Sequence, residues 1–185
     1  MFKAVIIGGS AGSFQVVTKI LSSLPNPFPL PVFLCLHRLK HVRSGFVEAL
    51  SIKSNIPVIE PFDKETIKPG KAYLAPANYH MYIELGNKIA LSTEEVVNHS
   101  RPSIDLSFMS ASVNYREKVV GIILSGANRD GAHGLKKIKD RRGVAIVQDP
   151  AESEVKTMPE ASMQLTKVDH VFKTEQIIYF LKKLK

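Results

Sequence analysis

A serine, a histidine and an aspartate stand where apolar runs give way to polar or glycine-rich loops. They are Ser10 in GGSAGS (8–13), His37 after PVFLCL (31–36) and Asp130 in SGANRDG (125–131). These are the residue types that acyl transfer needs. An unassisted serine hydroxyl is a weak nucleophile. An imidazole can remove its proton and return it to the leaving group, and a carboxylate can fix the imidazole tautomer and favour its charged form.

Each residue also has a plainer reading. A strand, a glycine turn and a helix start present backbone N–H groups that suit a phosphate, an oxyanion or a purely structural turn. For a dinucleotide, GGSAGS lacks the full GxGxxG spacing, and no Asp or Glu precedes Glu48 to bind a ribose. No GK[ST] is present for a mononucleotide loop, no GxSxG pentapeptide occurs, and the order Ser…His…Asp is not that of the α/β-hydrolases. His37 also fits a helix cap or a satisfied local histidine. Asp130, followed by Gly131, also fits an Asx-turn. The remaining histidines, His41, His80, His99, His133 and His170, form no HExxH or other compact metal set, so neither metal nor cofactor is expected. His80 and Arg101 are candidates for a substrate-facing edge, with a structural place in a hairpin the simpler reading for His80.

The elements that must position these residues follow from periodicity. Ala4–Ile7, Pro31–Leu36, Ile56–Ile59, Lys71–Ala75, Val119–Leu124 and Val144–Val147 read as strands, the third made short or peripheral by Pro57. Helices are expected over Phe14–Leu24, in the second part of Arg38–Lys53 after a loop, over Ile104–Tyr115 with Ser103 as its cap and Asp105 in its first turn, and around Leu135 and Ile138. Others are expected from Pro159 and over Ile177–Leu184. Tyr79–Glu84 and Lys88–Leu91, joined by Gly86-Asn87, form a small antiparallel hairpin insertion. Successive βα units predict an α/β fold, a three-layer, doubly wound, mainly parallel sheet with helices on both faces. In such a sheet Ser10, His37 and Asp130 share one edge.

The 185 residues, 44% hydrophobic and 23% charged, suit one domain over 1–185. The single cysteine, Cys35, lies within an apolar run, reads as a core residue and fits a reducing cytoplasm. No apolar run approaches the roughly 20 residues of a membrane span, and membrane insertion is not expected. The net charge of +8 reads first as a mostly solvated basic face and also suits an acidic partner. Its basic runs, KKIKDRR (136–142) and Lys182, Lys183 and Lys185, carry no interleaved aromatics, so a nucleic-acid partner is not expected.

Taken in order and over about the whole chain, IGGSAGS, LHRLKHVRSGF, KPGKAYLAPANYHM, RPSIDLSF, GIILSGANRDGAHGL and VAIVQDPAESEVKTMPEAS resemble the catalytic domain of the chemotaxis receptor protein-glutamate methylesterases, the CheB family. The resemblance implies Ser10 as nucleophile, His37 as base and Asp130 as orienting acid, with oxyanion or loop roles at Ala11 and Ala127. It implies a γ-glutamyl methyl ester on the cytoplasmic helices of a chemoreceptor, or of a related signalling protein, as substrate, with deamidation of receptor glutamines as a second activity. The family's receiver domain has no counterpart in these residues, which fits either an isolated catalytic segment or a stand-alone protein regulated by a separate response-regulator partner. Departures are local. Ser10-Ala11-Gly12-Ser13 stands where the family has Ser-Thr-Gly-Gly, Gly126-Ala127-Asn128 and Arg129 where it has Gly-Met-Gly and a small polar residue, and HRLKH lacks a proline. Competing readings are an esterase or amidase with another substrate and a non-catalytic receptor-binding module.

Overall fold

A computed structural model describes residues 1–37 and 45–185 of the chain. In chain order its elements are β1 (Ala4–Gly9), α1 (Ser13–Ser23), β2 (Val32–Leu36), α2 (Phe46–Lys53), β3 (Val58–Ile59), β4 (Ala72–Leu74), β5 (His80–Glu84), β6 (Lys88–Ser92) and α3 (Ile104–Tyr115). They continue with β7 (Val119–Ile123), α4 (Ala132–Asp140), β8 (Val144–Gln148), α5 (Thr157–Leu165), β9 (His170–Phe172) and α6 (Thr174–Lys182). The loop expected after His37 falls on residues 38–44, outside the described residues.

Strand alternation divides the core in two. Val5 and Ile7 of β1, with Val32, Leu34 and Leu36 of β2, face Val17, Ile20 and Leu21 of α1 and Ile177 and Leu181 of α6. Ala4 and Ile6, with Phe33 and Cys35, face Ile104 and Phe108 of α3, Leu135 and Ile138 of α4, and Met81 and Ile89 of the hairpin. Both sets are almost fully buried, so the period of two that marks these runs as strands also fills two helix layers. Cys35 lies in the second layer, where burial pushes its thiol pKa up.

The seven-stranded sheet runs β3-β4-β2-β1-β7-β8-β9, every pair parallel, and β5 and β6 form the separate antiparallel hairpin. From β1 the chain winds outward through β2, then returns to β7 on the other side. The helix after β1 lies on one face and the helix after β7 on the other. Such a change of direction opens a crevice at the carboxyl ends of the strands, here between β1 and β7. Among the described residues no helix is long and apolar enough to cross a membrane.

Local chemistry accounts for the differences from the sequence reading. β9 is a three-residue edge strand with a partly exposed face, too short to show a period. α5 begins at Thr157, not Pro159, because a proline in the first turn forfeits no intrahelical bond. α6 begins at Thr174, where Lys173 N–H donates to the Gln176 side chain.

Gly134 shows how closely α4 seats on α3. A Cβ there would meet Phe108 Cβ at 2.5 Å and the Asp105 carbonyl oxygen at 3.0 Å. Gly134→Ala would gain about 1 kcal/mol of helix propensity and lose about 1–3 kcal/mol to overpacking against unyielding backbone. We expect a net loss of stability, read as a lower urea midpoint at constant m-value. An unchanged or raised midpoint would show that the helix pair can part without cost.

Candidate active site

β1 delivers Ser10 to the crevice. Its N–H donates to the Ser125 carbonyl (2.9 Å), and its own carbonyl accepts from Ser13 N–H (3.0 Å) and the Ser13 hydroxyl (2.7 Å). The Ser125 hydroxyl donates to the Ala11 carbonyl (2.7 Å), so the loops after β1 and β7 are tied directly together. Gly12 turns the chain into α1 with φ +78°, and a Cβ there would lie 2.6 Å from Glu154 Cβ and 2.7 Å from Ser125 Oγ. Both conformation and space call for glycine. Among the described residues the N–H groups of Ala11 and Ala127 have no protein acceptor. Both residues are exposed.

His37 is the neighbour of Ser10 across the parallel ladder. Gly9 pairs with Leu36, and His37 N–H donates to the Gly9 carbonyl (3.0 Å). The imidazole reaches across the crevice, and its Nε2 lies 2.8 Å from Oδ2 of the fully buried Asp130. The Ser10 hydroxyl has no hydrogen-bond partner among the described residues. The structure therefore joins His37 to Asp130 and carries Ser10 and His37 at the ends of neighbouring strands.

Asp130 makes no Asx-turn of its own. Asn128 supplies that local bond, its Oδ1 accepting from Asp130 N–H (3.0 Å). The Asp130 carboxylate instead sits at the N-terminus of α3. Ile104 N–H donates to Oδ2 (2.6 Å), and Asp105 N–H (3.0 Å), the Ser103 hydroxyl (3.1 Å) and the Asn98 amide (3.2 Å) donate to Oδ1. Burial alone would raise its pKa. The hydrogen bond to His37 and the N–H groups of Ile104 and Asp105 outweigh burial and hold the carboxyl below its ordinary value. An ionised Asp130 accepts from Nε2–H, which leaves the lone pair of a neutral imidazole on Nδ1.

Asp105 returns the arrangement. Its Oδ1 accepts from Gly131 N–H (3.0 Å) and Gly134 N–H (2.7 Å) at the start of α4, and Oδ2 accepts from the Asn98 amide (3.0 Å). Burial, followed by the charge of Asp130, raises its pKa, with the Gly134 and Gly131 N–H groups acting the other way.

The expectation of His80 at a substrate edge is replaced by a structural place. The residue is 0% exposed, its Nδ1 accepts from Ser103 N–H (3.1 Å) and its Nε2 donates to the Glu95 carbonyl (2.9 Å). No ring nitrogen remains for a substrate. Arg101 is half-buried and braces two loops, with Nε and Nη2 on Asn78 Oδ1 (3.2 and 2.8 Å) and Nη1 on the Thr93 and Glu94 carbonyls (2.7 Å each). Beyond it lies a groove of about 270 Å³, lined in part by Pro76, Asn78, Tyr79 and Thr93. Asn98 and Ser100, whose hydroxyl lies 3.5 Å from His37 Nδ1, were not foreseen. They sit in a polar stretch without periodicity, and the turn propensity of Asn98 is the one local sign of a special backbone there.

The chain is similar to several known proteins. The family model described as CheB methylesterase matches residues 5–181. A protein of Leptospira interrogans named a putative protein-glutamate methylesterase/protein-glutamine glutaminase is 43% identical over 176 residues, covering 95% of this chain and 91% of the relative. The protein-glutamate methylesterase/protein-glutamine glutaminase of Archaeoglobus fulgidus is 36% identical over 184 residues, 96% of this chain and 53% of that longer protein. The crystal structure of the Thermotoga maritima CheB methylesterase catalytic domain superposes with a TM-score of 0.94 over 100% of both chains, at 29% identity.

The lowered Asp130 pKa has a sign that acid titration reads. Its contribution to stability is present above the unfolded aspartate value of 3.8 and is lost as pH falls through the lower folded value. Asp130→Asn removes that contribution. Its melting temperature should therefore fall less steeply than that of the native chain as pH is taken below 3.8, and should be lower at neutral pH. Parallel pH profiles for the two proteins would contradict the assignment.

Proposed function

The chain belongs to the CheB methylesterase family, and from that premise we propose that it hydrolyses glutamyl methyl esters on chemoreceptor helices, with Ser10 as nucleophile, His37 as base and Asp130 as orienting acid. The observation that carries this reading is the 2.8 Å contact of His37 Nε2 with buried Asp130, made by the histidine that neighbours Ser10 across the ladder.

In this reading Nδ1 is the working nitrogen. Ser10 Oγ attacks the ester carbonyl while its proton passes to Nδ1. The tetrahedral oxyanion is met by the N–H groups of Ala11 and Ala127. Nδ1–H then protonates the departing methoxide, methanol leaves, and an acyl-enzyme remains. Water, deprotonated by Nδ1, attacks that ester, and Ser10 departs with its proton restored. The product is a glutamate side chain. The same steps on a glutamine release ammonia. A Ser10 hydroxyl without a hydrogen-bond partner among the described residues fits an apo site whose catalytic hydrogen bonds tighten when substrate binds.

Recognition of so small and neutral a group must draw on the polypeptide around it. The net charge of +8 suits an acidic helical partner, and a separate response regulator is a further proposed partner. Salt should then raise KM more than it lowers kcat, because exposed charges steer encounter and are screened. A KM indifferent to ionic strength between low and physiological salt would remove the charge argument.

The direct test is methanol release from methylated receptor bundles by the native chain and by Ser10→Ala. We expect turnover by the first and a loss of about 10³-fold or more in the second, the scale seen when a nucleophile is removed. Release by Ser10→Ala at the native rate would overturn the nucleophile assignment. No release by the native chain from several receptors would overturn the substrate.

A further inference from the structure

We propose that the turn Val97–Ser100 is a positioning clamp for the His37–Asp130 pair, with Asn98 as its working side chain. The turn is closed in both directions, Ser100 N–H to the Val97 carbonyl (2.9 Å) and Val97 N–H to the Ser100 carbonyl (3.2 Å). Its central residues both have positive φ, Asn98 at 50° and His99 at 60°. That is the type I′ geometry, which twists a hairpin tightly and which asparagine tolerates better than most residues. The effect is to aim two side chains from one short turn at the dyad.

Asn98 lies between the buried carboxylates. Its Nδ2 is 3.0 Å from Asp105 Oδ2 and 3.2 Å from Asp130 Oδ1, one N–H for each. Only this orientation of the amide places donors on both acceptors. The residue itself is exposed while the carboxylates are buried, so its amide covers them from the solvent side. Without it, two like charges would face each other across the gap, and Asp130 Oδ1 would keep only its bonds to α3. Ser100 acts from the opposite end of the ring, its hydroxyl 3.5 Å from Nδ1 while Asp130 holds Nε2. Asn98 acts through Asp130 and is a positioning residue.

Asn98→Gly tests this without straining the turn, since glycine accepts positive φ freely. His99→Gly makes the same backbone change one residue on and serves as the control. The first readout needs no substrate: ¹⁵N NMR of the His37 ring. The native chain should show one tautomer, with the proton on Nε2. Asn98→Gly should show averaged shifts of mixed tautomers, and His99→Gly should match the native spectrum. The second readout rests on the esterase reading above. Asn98→Gly should lose about tenfold in kcat, the scale of one hydrogen bond to a charged group, with KM changed less than about twofold. Should Asn98→Gly fail to fold by circular dichroism, Asn98→Asp decides, since it keeps the size and turn preference but replaces the donor by an acceptor, and it should give the same mixed spectrum. A native ring spectrum in the folded Asn98 variant, or equal losses in the Asn98 and His99 variants, would overturn the clamp. An inactive native chain with the spectral difference intact would instead overturn the substrate reading alone.

Discussion

The ionised carboxylate of Asp130, buried against the N-terminus of α3, constrains everything around it. An isolated charge at 0% exposure costs several kcal/mol, and here the cost is met by donors from several chain segments at once. The Ile104 and Asp105 N–H groups are orphan donors of the first turn of α3, and the positive end of that helix favours an anion. Asp105 does the same for α4 through Gly131 and Gly134. Each helix thus carries, or directly follows, the carboxylate that caps the other. Neither can shift without exposing a charge and freeing backbone donors.

The two aspartates nevertheless titrate in opposite directions. Asp130 gains the His37 contact in addition to its backbone donors, and its pKa falls. Asp105 has backbone and amide donors only and faces a neighbouring charge, so burial prevails and its pKa rises. The same linkage that makes Asp130 a source of stability above acid pH makes Asp105 a group whose ionisation weakens the fold as pH rises through its folded value. His80 belongs to this system from beneath. By accepting from Ser103 N–H, it fixes the residue whose hydroxyl both caps α3, accepting from Leu106 N–H, and donates to Asp130.

Periodicity made the sheet and both helix layers legible. Ala4–Ile7, Pro31–Leu36 and Val119–Leu124 alternate between the faces that the structure fills, and Gly86-Asn87 marked the hairpin turn. Ser103 and Asp105 were recognisable as a cap and a first-turn acid because those preferences are local. What Asp105 touches was not legible, since its partners lie 26 and 29 residues away in the chain. The same holds for Asn98, which meets Asp130 across 32 residues, and for His80, whose burial depends on how the hairpin docks. Local pattern reports which face a residue occupies. It does not report which side chain from another loop will arrive there.

The departures from the family pattern acquire a physical meaning in this setting. Ala11 and Ala127 replace larger side chains at exposed positions, yet in the proposed mechanism those positions would serve an oxyanion through backbone N–H, which any residue but proline retains. Asn128 replaces a glycine, and its side chain folds back to accept the Asp130 N–H, so the substitution adds a local tie to the loop. Gly12 is the position that admits no replacement, because Glu154 and Ser125 close in on a residue at positive φ. A loop built from backbone donors and one obligatory glycine can therefore vary its side chains while the geometry around Ser10 is held from behind, by Ser125 on one side and the Ser13 hydroxyl on the other.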